Sequence, residues 1–330
     1  MPQPTDADPT RVPAPRGPLS AWVIDHMWRL APSGLAPAVG DDAFGEDLQL
    51  ALYLAAEGHF SEIGLVDEWD PALLAFRRQL EDAFVAELRR RVGRDVRRVA
   101  RRGTDLRAAI PELIAADTGP SLSRFMEVHG TLAQMRQVAL HRSAYQLKEG
   151  DAHTLGIARL RGRAKQILVA IQAGEYGADE PDRVMHSELF AQTMRGLGLD
   201  DRPNAYLDHL PASALMVSNL ISLFGLNRGW RGALVGHLAV FEMTSVVPMG
   251  RYGRALERLG AGPATRRFYD VHVLADAEHE HMALDMACAL AADEPQLIDD
   301  IVFGAHAVLA VEAEFAATLL RSWGALALAA

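Results

Sequence analysis

The sequence predicts an all-α protein. Apolar positions recur at three- and four-residue spacing along almost the whole 330-residue chain, and no run alternates with the period of two that a half-buried strand would show. The periodic runs also stop at residues that stop helices, chiefly Gly and Pro. At 49% hydrophobic and 23% charged, the composition is that of a globular protein with material for one large helical domain or two smaller ones.

In chain order, residues 1–18 are Pro-rich and lack the apolar core of a signal peptide, and are expected to be a flexible leader. Helices are expected over about 19–29, 45–60, 71–101 and 105–116. The second carries the apolar stretch QLALYLAA at 49–56, which would suit a dimer interface. The third ends in RRRVGRDVRRVARR at 89–102. An Arg-coated helix reads as a solvated face or an interface, and a formal net charge of −10 argues against binding a phosphate backbone. The turn cluster DTGPSLS at 117–123 marks the clearest boundary, dividing an N-terminal helical region over 19–120, with a possible role in dimerisation, from a larger unit over 121–330.

In that unit, helices are expected over about 121–148, stopped by Gly150, and 153–176, stopped by Gly177. Others follow over 182–197, 203–225, 229–258, 263–291 and 295–323, with breaks at Gly260, Gly262 and Pro263 and at Asp293-Glu294-Pro295. The apolar run 301–330 is interrupted by Glu312, Glu314 and Arg321 and reads as a packed helix, with no membrane span expected. The single cysteine, Cys288, excludes an intramolecular disulfide and a Cys-based zinc site, and points to the cytoplasm. Lys148 and Lys165 are the only lysines, so the positive charge is almost all Arg, a composition bias.

The chemistry is concentrated in YDVHVLADAEHEHMAL at 269–284, where His272, Asp276 and His279 stand at relative positions 0, 4 and 7. At about 100° per residue, the three point to about 0°, 40° and −20° around the helix axis, one narrow stripe. The rise from His272 to His279 is about 10.5 Å, too long for two imidazoles to share one ion comfortably, so two ions with Asp276 between them fit better. Mixed imidazole and carboxylate favours iron or manganese. The plainer reading is a polar stripe on a half-exposed helix.

Two metals would demand further ligands. Glu242 sits among Val, Phe and Met in LVGHLAVFEMTSVVPM with no basic residue within a turn, and a lone buried carboxylate is costly unless paired. Glu175 ends one expected helix and His186 begins the next, so the intervening loop can bring both to one level of a bundle. Glu149 ends another, where a solvated glutamate is the simpler explanation. Glu57 and His59 are about 200° apart on a helix and cannot converge. Glu278 and His281 form one E-x-x-H where a ferritin-like bundle needs two, and His237 and His306 read as core histidines.

Taken in order, these residues resemble the haem-oxygenase-like di-iron oxidases, known broadly as iron-containing redox enzymes. That family's hallmark is a Glu, a His shortly after it, a Glu on a later helix and a final H-x3-D-x2-H; Glu175, His186, Glu242 and His272, Asp276 and His279 match it in order. Members that oxygenate amine nitrogen add a carboxylate one helix earlier, where Glu149 stands. LHRSAYQLKE and FGLNRGWRGALVGHLAVFEMTS also look like family sequences, and the resemblance covers about residues 121–295. It implies a haem-oxygenase-like helical bundle with additional N-terminal helices. His186, His279 and Glu149 would serve one iron, Glu242, His272 and Asp276 the other, and Glu175 would bridge.

The resemblance further implies two Fe(II) ions, O2 as co-substrate, an external reductant or electron donor and a small-molecule substrate. The leading expectation is N-oxygenation of an amino acid or small amine in a biosynthetic pathway; desaturation or C–C cleavage of an aliphatic acid or amino acid is the alternative, and a non-catalytic metal-binding or partner-binding scaffold the second. Tyr145 and Tyr176 lie close in sequence to proposed ligands, which keeps self-oxidation in view, and Arg161, Lys165 and Arg228 are candidates for a substrate carboxylate. Haem oxygenase activity is disfavoured, because haem needs one proximal His and not this carboxylate set. A homodimer and a cytoplasmic location complete the expectation.

Overall fold

The computed structural model describes residues 11–30, 34–100, 105–178 and 182–329. Among them, the regular structure is helical throughout: α1 (Pro18–Met27), α2 (Glu46–Glu57), α3 (Pro71–Ala100), α4 (Leu106–Ala115), α5 (Leu122–Val128), α6 (Leu132–Gln146), α7 (Asp151–Thr154), α8 (Gly162–Glu175), α9 (His186–Gly196), α10 (Ala212–Leu226), α11 (Arg231–Arg258), α12 (Pro263–Asp293) and α13 (Ile298–Ser322).

The predicted elements recur with local differences that have physical causes. The run expected over 121–148 is two helices, because Thr131 restarts the chain: its side chain accepts from the Gln134 amide while Gln134 reaches back to the Thr131 backbone, a reciprocal capping box. The run expected over 153–176 keeps only its two ends, since the intervening chain turns and α8 begins after Arg161 in an extended conformation. In the run expected from 203, α10 starts only at Ala212. Leu210, which precedes Pro211, is extended at φ −83° and ψ 120°, as the proline ring requires of its predecessor.

α11 is the spine. It packs along α12 on one side and α13 on the other, while α8 and α9 lean on α12, and α10 joins α13 to α2. The closeness of α11 to α13 depends on Gly236 and Gly304, where a Cβ would drive into the facing backbone at Ile301 and Ala233. α13 buries Ile301 to Ala305, Val308, Val311 and Phe315 against these neighbours, which accounts for its apolar sequence.

The N-terminal helices belong to the same packing. One hydrophobic cluster runs from Leu19 to Ala329, and the Asp47 carboxylate of α2 accepts from the Leu19 and Ser20 amides at the start of α1. The apolar stretch 49–56 is buried along its whole length, where α1, α3 and α10 meet α2. It is therefore core within the chain and not, as its sequence suggested, a free surface for a second copy.

Candidate metal centre

α12 is turned inside out at its middle. His272, Asp276 and His279 are 4%, 1% and 4% exposed, while Leu274 on the same helix is 78% exposed. Burying ionisable groups and exposing a leucine is unfavourable by hydrophobic transfer, so the stripe is held by something other than apolar packing. The surrounding helices supply it.

Glu149 reaches the centre from the turn after α6. Gly150 makes that turn possible: its φ is +89°, and a Cβ there would meet Gln172 Oε1 and the Glu175 Cβ, each at 3.3 Å. The end of α8 can thus close on the end of α6 and bring Glu175 beside Glu149. Glu175 is the last residue of α8 and His186 the first of α9, and His186 Nδ1 lies 3.1 Å from Glu175 Oε2. Glu242 enters from the middle of α11.

The structure brings all seven predicted residues together. Donor atoms of Glu149, Glu175, His186 and His272 lie within 4.8 Å of one another, and Glu175, Glu242 and His279 form a second such group. Glu175 belongs to both, which suits a bridge. Asp276 adjoins the second group, its Oδ1 3.9 Å from His279 Nδ1, and its Oδ2 accepts from the Ser245 hydroxyl. The two histidines of α12 are exchanged relative to the partition the resemblance implies. His272, 3.5 Å from Glu149 and with its ring 4.3 Å from that of His186, sits with the first group. His279, 3.7 Å from Glu242, sits with the second.

The donor set fits divalent cations. Glu149 Oε2, Asp276 Oδ1 and His279 Nδ1 are buried without a hydrogen-bond partner, an arrangement rare in a finished core and natural for groups that face an ion. The His272 Nδ1–H donates to the Phe268 carbonyl at 2.7 Å, which directs Nε2 inward and fixes the ring, the usual support of a metal-ligating imidazole. Four carboxylates face three imidazoles, so two divalent cations would leave the centre neutral.

Without cations, protons do that work. Burial opposes charge on His272, but Glu149, Asp276 and Glu175 outweigh it and push its pKa up to about 10. Burial likewise opposes His279, and chiefly Glu242 lifts it to about 9. Burial pushes Glu242 up to about 7, with His279 pulling the other way, and raises Glu149 and Asp276. Glu175 runs opposite: despite burial, His186, His272 and His279 hold it down to about 2. Cations entering this centre must displace those protons.

The other candidates separate from the centre. Glu57 pairs with Lys148 and His59 with Arg77; Glu278 and His281 are exposed. His306 is half-buried on α13. Tyr176 hydrogen-bonds Asp151 at 2.9 Å, away from the metal ligands, whereas Tyr145 is buried and lines the small cavity of about 20 Å³ among them. Arg161 and Arg228 are exposed and Lys165 half-buried, and none of the three lines that cavity or the larger pocket beside it. His153, not among the residues expected at the site, lines the cavity and meets His237 at 3.2 Å; burial lowers both imidazoles, His153 to about 4. Ser245 is a second such residue. The signals were present, since His153 lies four residues after Glu149 and Ser245 three after Glu242.

Residues 136–313 match the profile of a family described as iron-containing redox enzyme, and the matched segment contains every one of the seven. The chain belongs to that family. Its oxidoreductase character and haem-oxygenase-like all-α fold follow from this membership, and the buried His and Glu cluster is compatible with iron. No curated protein matches the chain. Among solved structures, it is similar to a CADD-like protein of unknown function from Nostoc punctiforme, with a TM-score of 0.54 and 16% identity over 67% of this chain and 97% of that one. At that identity the likeness concerns the fold.

Proposed function

We propose that this family member is an O2-dependent non-haem di-iron oxidase whose reaction is N-oxygenation of a small amine or amino acid. The single observation that carries the two-metal reading is Glu175, shared between two buried donor groups whose other members come from the turn after α6, from α9, from α11 and from both ends of the α12 stripe. When bound, two ferrous ions would supply electrons to O2. The chain's own part is to hold Glu149, His186 and His272 on one side and Glu242, His279 and Asp276 on the other, to fix His272 through Phe268, and to keep water out with Tyr145, Leu238, Phe241 and Met249 around the cavity.

The preference for nitrogen rests on Glu149, the carboxylate that the resemblance attaches to amine-oxygenating members; its place within the first group supports it. An external reductant, a cytoplasmic location and a homodimer belong to the same reading. The test is to load metal-free protein anaerobically with ferrous iron, count the bound ions, and mix with O2 in a stopped-flow spectrometer. About two irons and a transient visible band are expected. One iron or none, with no transient in the presence or absence of amines, would leave a scaffold as the better account. N-oxygenation that persists in Glu149→Ala would remove the reason for preferring nitrogen.

A further inference from the structure

A second cavity, of about 240 Å³, lies between α4, α5 and α6 on one side and α11, α12 and α13 on the other. Its mouth is at Asp117 and Gly119, which are exposed, and its inner wall includes buried Val138, Val240 and Tyr269. Phe241, Ser245 and Met249 line both this cavity and the small one among the metal ligands. One layer of side chains therefore separates the two. Ser245 already contacts Asp276 across it.

The lining is mostly apolar, and its charges are few: Asp117, Arg142 and Glu312. Arg142 is spent. Its two terminal nitrogens lie 2.7 and 2.5 Å from the two Glu312 oxygens, and its guanidinium sits 4.1 Å from the centre of the Phe315 ring. A substrate carboxylate would find no unpaired cation here, and the lining keeps one net negative charge, that of Asp117. Deeper in, the Ser245 hydroxyl gives its proton to Asp276 Oδ2, so its oxygen is left to the cavity as an acceptor. An acceptor left bare beside a cavity calls for a donor from the ligand.

We propose that this cavity binds the apolar body of a primary amine, with its nitrogen directed at Ser245, and discriminates against fatty acids and free amino acids. At about 30 Å³ for each water-sized group, it holds roughly eight such groups, the scale of an octyl chain. The assignment rests on the di-iron reading of the neighbouring centre, and it narrows the substrate from amines and amino acids to amines without a free carboxylate.

Isothermal titration calorimetry with octylamine and octanoate on the full chain, metal-free and anaerobically iron-loaded, tests it. Octylamine is expected to bind at least about tenfold more tightly than octanoate. Glu312→Gln frees Arg142 and is expected to reverse that order. Ala313→Trp, at the half-buried mouth, should abolish octylamine binding while leaving the iron count and the circular dichroism spectrum unchanged, and it serves if Glu312→Gln fails to fold. Octanoate binding as tightly as octylamine to the unaltered protein, or octylamine binding undiminished by Ala313→Trp, overturns the proposal. Bound iron without amine binding defeats the pocket alone. Amine binding with no iron taken up supports the pocket and defeats the metal reading.

Discussion

Glu175→Gln is the most informative single change, because it keeps shape and removes only the charge shared by both donor groups. In the metal-free chain the three histidines hold Glu175 at about 2, against an ordinary value of 4.5. At 1.36 kcal/mol per unit, that difference corresponds to about 3 kcal/mol of pairing. A depressed carboxylate contributes this stability above its unfolded pKa, and loses it as pH falls from about 4.5 towards 2. At pH 7 the full amount is present. Metal-free Glu175→Gln should therefore unfold in urea with about 3 kcal/mol less stability than the unaltered chain. It should also bind fewer than two ferrous ions, since an amide cannot bridge as a carboxylate does. Glu278→Gln, an exposed position on α12, is the control and should alter neither. Unfolding energies within about 0.5 kcal/mol of each other, together with two irons retained in Glu175→Gln, would refute the assignment of Glu175 as the shared ligand.

Other expectations follow from the same centre. His272 and His279, raised to about 10 and 9, stabilise the metal-free fold fully below about pH 6.5 and progressively less as pH rises through those values; metal-free Tm should fall from pH 6.5 to 10. Between about pH 6.5 and 8, where ferrous iron stays dissolved, the rise in Tm on adding it should grow, because each proton the cations displace becomes easier to remove, and a constant increment would count against proton displacement. Gly150→Ala forces a non-glycine residue to φ +89° and its Cβ against α8, which should cost on the order of 1–3 kcal/mol and weaken iron retention in an equilibrium dialysis assay.

Much of this was legible because helices convert spacing into direction. The 0, 4 and 7 spacing of His272, Asp276 and His279 fixed their common face before any packing was known. Breaks at Gly150 and Gly177 placed Glu149 and Glu175 near helix ends, where a turn can fold two acids together. What local sequence could not supply was which side of that stripe was buried: the Leu274 face looks like a core face and is exposed. Long-range features such as the cavity shared through Phe241, Ser245 and Met249 require six helices to be assembled, and no window of residues encodes them.

The exchange of the two histidines has a more specific cause, and it lies in a register that the sequence does contain. α11 and α12 form an antiparallel hairpin whose turn is centred on Gly260 and Ala261. Residues equally distant from that turn face one another across the hairpin, provided both helices advance by about 1.5 Å per residue. Glu242 lies 18 residues before Gly260 and His279 lies 18 after Ala261. Ser245 and Asp276 stand 15 away on their respective sides, and these are the two pairs found in contact. His272 lies 11 residues past Ala261, about two turns short of the level of Glu242, so it is left to meet Glu149 and His186. The hairpin register thus assigns each histidine to its partner by geometry alone. Lengthening the turn by one residue between Gly260 and Gly262 should shift Asp276 from Ser245 and His279 from Glu242 together, and reduce iron binding far more than it reduces helix content in circular dichroism; an insertion that left the iron count at two would show that the register is not what holds the second group.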